Sequence, residues 1–290
     1  MADPAALRRR LRTELRRARD DAQKTQRDVA EALFWSPSKV IRIESGQTGV
    51  SVTDLKALLD FYGVQDDAKV AELVDMARRS RKQPWSQYRD VVTAEGATYY
   101  GYEASASIVR QFEPLLIPGL LQTPAYMKAL LEGVFQEDER TIARRVEARI
   151  ERQKLLERED VRELIFIVDE AAVRHVVGGP LAMAEQLEHI AELADRPDVT
   201  FRVIPFSVGG YIGLRGPFSL LQFPGQDDAD VVYLEGLENA FFHDNDERTG
   251  QYRHVFRDLE DKALSEEASI ELLGSIIAGL QVDVSVPRRR

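Results

Sequence analysis

Over its first eighty residues the chain shows only one hydrophobic period, that of a helix, and caps cut it into short lengths. Leu7, Leu11, Leu15 and Ala18 recur every three or four positions with arginines between them, which predicts an amphipathic helix over 5–18. Thr25 as N-cap opens a second helix over 26–33 that turns Val29, Ala30 and Leu33 inward. Ser36-Pro37 supplies a cap and a first-turn proline for a third helix, which runs through Glu44 and is stopped by Ser45-Gly46. Ser51 to Asp54 begins a fourth, with Leu55, Leu58, Leu59 and Tyr62 as its stripe before Gly63, and a fifth spans about 66–79. The expectation is an all-α domain of five helices over 1–80. The basic run from Arg78 to Lys82, followed by Pro84, reads either as a linker or as the solvated end of the fifth helix.

Charge divides at the same place. The 290 residues carry a formal charge of −10, but residues 1–82 hold 17 Lys/Arg against 13 Asp/Glu, a net of +4. The remaining 208 hold 22 against 36, a net of −14. A small basic module therefore precedes an acidic body, and the overall acidity is no argument against nucleic acid. The chain has no cysteine, which excludes disulfides, thiolate metal sites and cysteine nucleophiles and suits a reducing compartment. No run reaches the ~18 apolar residues of a membrane span, and the arginine-rich start does not read as a secretory signal, so a cytoplasmic protein without a membrane partner is expected.

Beyond residue 81 the periods mix. Residues 81–94 are expected to form a linker or connecting helix, and 95–285 an α/β or α+β domain. Residues 87–106 read as helical despite Gly96 and Gly101, and 108–113 as extended up to Pro114. Thr123-Pro124 starts a helix to about 132, and 138–158 forms a charged helix with Ile142, Val146, Ile150 and Leu155 on its buried side. Leu164–Val168 is a short apolar run suited to a buried strand. After Pro180 a helix through 194 presents Leu181, Leu187, Ile190 and Leu193. Strands at 199–204, 218–223 and 231–234 follow, separated by Gly/Pro/Asp turns, and helices over 247–264 and 266–281 precede an arginine-rich tip.

The pattern from Thr25 to Glu44 has the layout of a DNA-reading element. Two short helices are joined at Phe34-Trp35, and the second begins with Ser36, Ser38 and Lys39, with Arg42 a turn later, while Val40 and Ile43 face back to the domain. Lys39 and Arg42, three apart, are expected on one outward face. Gln26 and Arg27 open the preceding helix, where Gln26 is placed to donate to a phosphate. Ile41 suits either a thymine methyl or packing. The ordered set Leu15 to Arg19, Thr25 to Ala30 and Ser36 to Gly46 resembles the Cro/repressor-like family of helix-turn-helix regulators over about 7–77. That resemblance implies that Ser36, Ser38, Lys39 and Arg42 face bases or backbone, that Gln26 holds a phosphate, and that double-stranded DNA is bound by a homodimer. The family turn commonly has glycine where this chain has Phe34, so a left-handed backbone there would be strained.

In the acidic part, Tyr99 to Glu103, Phe112 to Thr123, Asp169 to Ala172, Val177 to Pro180 and Gly216 to Phe218 resemble the domain of unknown function that follows the helix-turn-helix in many actinobacterial regulators and is described as antitoxin-like. The resemblance implies a small partner protein encoded nearby and supplies no chemistry. Read as residues, Glu113 to Thr123 is either a buried turn or the wall of a ligand pocket that would include Glu113 and Gln122. Asp169-Glu170 directly after a strand suits either helix capping or functional carboxylates. Gly209 to Gly216 reads as a flexible loop or lid carrying Tyr211, with Arg215 available to an anion. It precedes a strand, the wrong order for a dinucleotide fingerprint. His175, His189, His243 and His254 show no metal-pair spacing, and no nucleophile elbow or phosphate loop appears. No catalytic residue, metal or cofactor is therefore expected. The leading expectation is a transcription regulator whose acidic domain dimerises and receives a protein or small-molecule signal. The alternatives are an antitoxin-like module neutralising a small protein, or a small-molecule sensor.

Overall fold

The computed structural model describes residues 4–45, 48–81, 85–134, 138–158, 162–224, 229–236 and 239–285. The expected stop at Gly46, the linker residues Lys82 to Pro84, the turn at 225–228 and the arginine tip lie outside them. Two compact units divide the chain: Met1–Arg89 with Gly96–Ser105, and Asp90–Glu95 with Ala106–Arg290.

The first unit contains α1 (Pro4–Asp21), α2 (Gln26–Ala32), α3 (Pro37–Ser45), α4 (Val52–Phe61) and α5 (Asp67–Arg79). The starts of α2 to α5 are chemically marked. Thr25 and Asp28 form a reciprocal capping box at α2, Ser51 accepts from the backbone of Asp54 at α4, and Asp66 accepts from Ala68 and Lys69 at α5. Ser36 Oγ accepts from Lys39 N at the head of α3. The helical stripes meet in one core that includes Leu11, Leu15, Val29, Val40, Leu55 and Leu59. Residues 87–106 are not one helix: a 3-10 turn at Ser86–Tyr88 precedes α6 (Ala94–Ser105).

The second unit is built on a six-stranded mixed sheet of order β3-β2-β1-β4-β5-β6, an α/β architecture. Its strands are β1 (Ile108–Glu113), β2 (Glu163–Asp169), β3 (Val199–Ile204), β4 (Phe218–Gln222), β5 (Val231–Glu235) and β6 (Ala240–His243). β1, β2 and β3 are parallel, with Glu113 opposite Val168 and Asp169 opposite Ile204, whereas β4, β5 and β6 run antiparallel. Parallel neighbours need crossovers. Between β1 and β2 these are α7 (Pro124–Val134) and α8 (Glu139–Gln153). Between β2 and β3 they are α9 (Glu170–Arg174) and α10 (Pro180–Ala194). Interior β2 is buried from Leu164 to Asp169, which accounts for its continuous apolar run.

The helices α11 (Asp246–Lys262) and α12 (Glu266–Ser285) close the unit. Phe256 and Leu259 of α11 pack on Phe112, Ile165, Ile167 and Phe218. The edge strand β3 is covered rather than left open: Val203 N donates to Ser269 Oγ, Leu264 N donates to Val203 O, and Arg202 donates to the carbonyls of Ala263 and Leu264. Two apolar positions expected inside lie outside, Ile150 at 40% and Leu181 at 70% exposure. Helical spacing puts them on an apolar side, but among the described residues no element covers that side at either point. No described helix is long and apolar enough to cross a membrane.

Candidate nucleic-acid interface

The turn between α2 and α3 is a Schellman closure. Phe34 N donates to Glu31 O at 3.3 Å and Trp35 N to Ala30 O at 2.8 Å, and Phe34 adopts a left-handed φ of +55°. The backbone thus takes the shape that glycine usually supplies, with a phenylalanine in its place. The Phe34 ring is 97% exposed. Trp35 turns the other way and packs against the core.

α3 is held from behind by a buried carboxylate. Glu44, 3% exposed, accepts from Arg19 Nε at 2.7 Å and Nη2 at 3.2 Å, and from Gln26 Nε2 at 2.7 Å. A bidentate guanidinium and an amide thereby fix α1, α2 and α3 to one another. The hydrogen bond to Glu44 holds the Arg19 guanidinium above its ordinary pKa. Val40 and Ile43 are buried beside this network.

The opposite side of α3 presents Ser38, Ile41 and Arg42, which are exposed at i, i+3 and i+4, and Ser36 is exposed at its N-cap. Lys39 does not share that side with Arg42. Its ammonium lies 2.9 Å from Asp54 Oδ1 and 3.6 Å from the centroid of the Trp35 ring. Gln26, expected to face a phosphate, directs its amide inward to Glu44. Arg27 stays on the surface in an i,i+4 pair with Glu31 at 2.9 Å. Ser36, Ser38, Arg27 and Arg42 are therefore displayed, while Gln26 and Lys39 are engaged within the domain. Sequence reading passed over Glu44 and Asp54, whose partners lie 15 to 25 residues away.

In the second unit Asp169, Glu170 and Tyr211, three of the six candidate residues, lie together at the carboxyl end of β2. Asp169 caps α9 through Ala171 N at 2.8 Å, and its other oxygen accepts from Tyr211 Oη at 2.6 Å. Burial and that carboxylate push the Tyr211 phenol well above its usual range. Glu170 accepts from Arg174 Nε at 2.6 Å and Phe206 N at 2.7 Å. Glu113 ends β1 apart from these and accepts from Gln111 Nε2 at 2.9 Å; burial pushes its carboxyl up to about 7. Gln122 is buried, donates to Ile117 O and accepts from Arg149. With Gln186, which bonds Thr123 N and Leu121 O, it braces the proline-rich turn. Arg215 is exposed in the 3-10 turn Ile212–Arg215.

A family model described as a helix-turn-helix domain matches residues 10–73, which span α2, the turn and α3. A second, described as a domain of unknown function (DUF5753), matches residues 97–275. No curated protein and no solved structure matches the chain.

Proposed function

This chain belongs to the DUF5753 family, whose model covers more than half of it, and on that premise we propose that it is a sequence-specific transcription regulator of the Cro/repressor-like kind. In this reading the basic head binds double-stranded DNA. The acidic body dimerises and receives a protein or small-molecule signal. The observation that carries the reading is the stripe Ser38, Ile41, Arg42 on a helix whose back is clamped by Glu44 to Arg19 and Gln26. A rigidly mounted helix with small polar and cationic residues on its open side meets the requirement for entering a major groove.

Arg42 is assigned to a base edge, Ser36 and Ser38 to base or backbone contacts beside it, and Ile41 to a thymine methyl. Arg27 is assigned to a phosphate. Gln26 and Lys39 act as positioning residues, Gln26 through Glu44 and Lys39 through Asp54 and Trp35. Selection of binding sequences from a random duplex pool, followed by titration, tests this. Arg42→Ala should weaken specific binding by ~1–3 kcal/mol and relax preference at one position. Affinity should fall with salt at a log–log slope of about −0.9 per phosphate neutralised. Unchanged affinity and preference for Arg42→Ala would remove the helix from the reading surface.

A further inference from the structure

We propose that the edge of the second unit at the carboxyl ends of β1, β2 and β3 is the surface on which two copies of this chain pair. The inference names the surface behind the dimer of the proposed function. Its support comes from what the three connections leaving that edge display.

Chain direction places the connections together. β1, β2 and β3 are adjacent and parallel, so the segments after each of them emerge at one end of the sheet. Contacts join them: His175 Nδ1 lies 3.3 Å from Leu115 O, Phe206 N donates to Glu170, and Tyr211 Oη donates to Asp169. On this shared edge Leu115, Val176, Leu181, Phe206 and Leu214 are 49% to 70% exposed. Scattered exposed leucines need no explanation, but here these five, together with Leu116 at 37% and Ile212 at 39%, lie on connections leaving one edge.

Area and charge favour a second copy as the occupant. At roughly 100 Å² each, the five residues offer about 500 Å² of apolar surface, at the upper end of what a monomer shows. A standard interface buries about 800 Å² per partner, of which roughly three-fifths is apolar, so the patch matches one half of a stable dimer. Residues 83–290 carry a net −14, which sets two such bodies against each other over most of their surface. The connections 114–123, 170–182 and 205–217 contain one acidic residue, Glu170, which is paired with Arg174, and one further basic residue, Arg215. Two acidic bodies meeting there approach across connections that carry almost no net negative charge.

The surface is also built in advance. A Cβ on Gly213 would sit 2.7 Å from the Phe112 ring, and one on Gly178 would sit 2.9 Å from Ala129 Cβ, so both connections are seated directly on the elements beneath. Gln186 pins the third through Thr123 N and Leu121 O. Little chain ordering is left to oppose pairing.

Sedimentation equilibrium of the full chain between about 1 and 50 μM tests the proposal in the range where transient and stable dimers separate. The wild type should approach twice its mass of 32.8 kDa. The double variant Leu181→Asp/Leu214→Asp should dissociate at least a hundredfold more weakly bound and run as a monomer, with unchanged circular dichroism and melting. Ile150→Asp, on α8, should remain dimeric. A monomeric wild type, or a double variant that stays dimeric, would overturn the proposal. Binding of the monomeric variant to a single half-site duplex keeps the two readings apart. If it binds while dimerisation maps elsewhere, only the surface is wrong; if the wild type binds no DNA, the regulator reading fails and the dimer result stands.

Discussion

Replacing Phe34 by glycine should stabilise the first unit, although it removes a large aromatic side chain. The left-handed backbone at φ +55° costs a residue with a Cβ roughly 1–2 kcal/mol. At 97% exposure the ring has almost no burial to lose. Glycine in turn loosens the unfolded chain, which costs about 0.4–1 kcal/mol. The balance is a gain of about 1 kcal/mol, or ~4–8 °C in the midpoint of a domain of this size. The chain's two tryptophans, Trp35 and Trp85, both belong to the first unit, so their fluorescence during thermal unfolding follows that unit. Phe34→Ala separates the causes because it deletes the ring and keeps the strain. Its midpoint should stay near wild type, with Phe34→Asn between it and Phe34→Gly. If Phe34→Gly melts no higher than Phe34→Ala, backbone strain is not what the residue carries. If Phe34→Ala itself falls by several degrees, the ring is packed rather than exposed.

Glu44→Ala should cost about 2–4 kcal/mol in the same assay, because it leaves Arg19, whose side chain is only 15% exposed, without its bidentate partner. A loss below 0.5 kcal/mol in urea unfolding would deny the network its clamping role. Glu113 has an ordinary value of 4.5 and a folded value of about 7, so its contribution is fully present below pH 4.5 and is lost as pH rises through 7. Glu113→Gln should remove that slope and leave the second unit about 3 kcal/mol more stable than wild type at pH 8, read by far-UV ellipticity in urea. Parallel pH profiles for the two proteins would contradict it. Gly213→Ala should destabilise by ~1–3 kcal/mol, since its methyl group would press on Phe112 and Tyr211 at under 3 Å. A melting point equal to wild type would mean that the loop is not seated there.

Four of the head's five helices are legible because their starts are written locally: Thr25 with Asp28, Ser36 with Pro37, Ser51 and Asp66 each act within three residues of themselves, while α1 is legible from its leucine spacing. β2 was legible for a similar reason, since an unbroken apolar run of strand length has few other uses. β6 and α9 were not. Ala240–His243 is four residues long and becomes a strand through its pairing with β5, and Glu170–Arg174 is a single short turn of helix that its own five residues give little period to announce. The orientation of Lys39 was misjudged on periodicity because Asp54 and Trp35 draw it sideways. Local spacing records which residues share a helix side; the long-range partner that turns one of them away lies elsewhere in the chain.

The candidate residues at the carboxyl end of the sheet share a feature that bears on what the edge is for. Asp169 commits one oxygen to Ala171 N and the other to Tyr211, and Glu170 commits one to Arg174 and the other to Phe206 N. Gln122 and Gln186 bond at both ends to the chain itself. A small-molecule site converges a few polar groups on a concave space so that they fix the ligand's orientation. Here Asp169, Glu170, Gln122 and Gln186 are bonded to the chain itself, and the side chains exposed on the same connections include Leu115, Val176, Leu181, Phe206 and Leu214, with Arg215 among them. Polar groups spent inward stiffen the connections, and apolar groups turned outward give a stiff surface something to bury. On the proposed pairing, Asp169, Glu170 and Gln122, which suit a site in sequence, instead hold the connections of the pairing edge in shape.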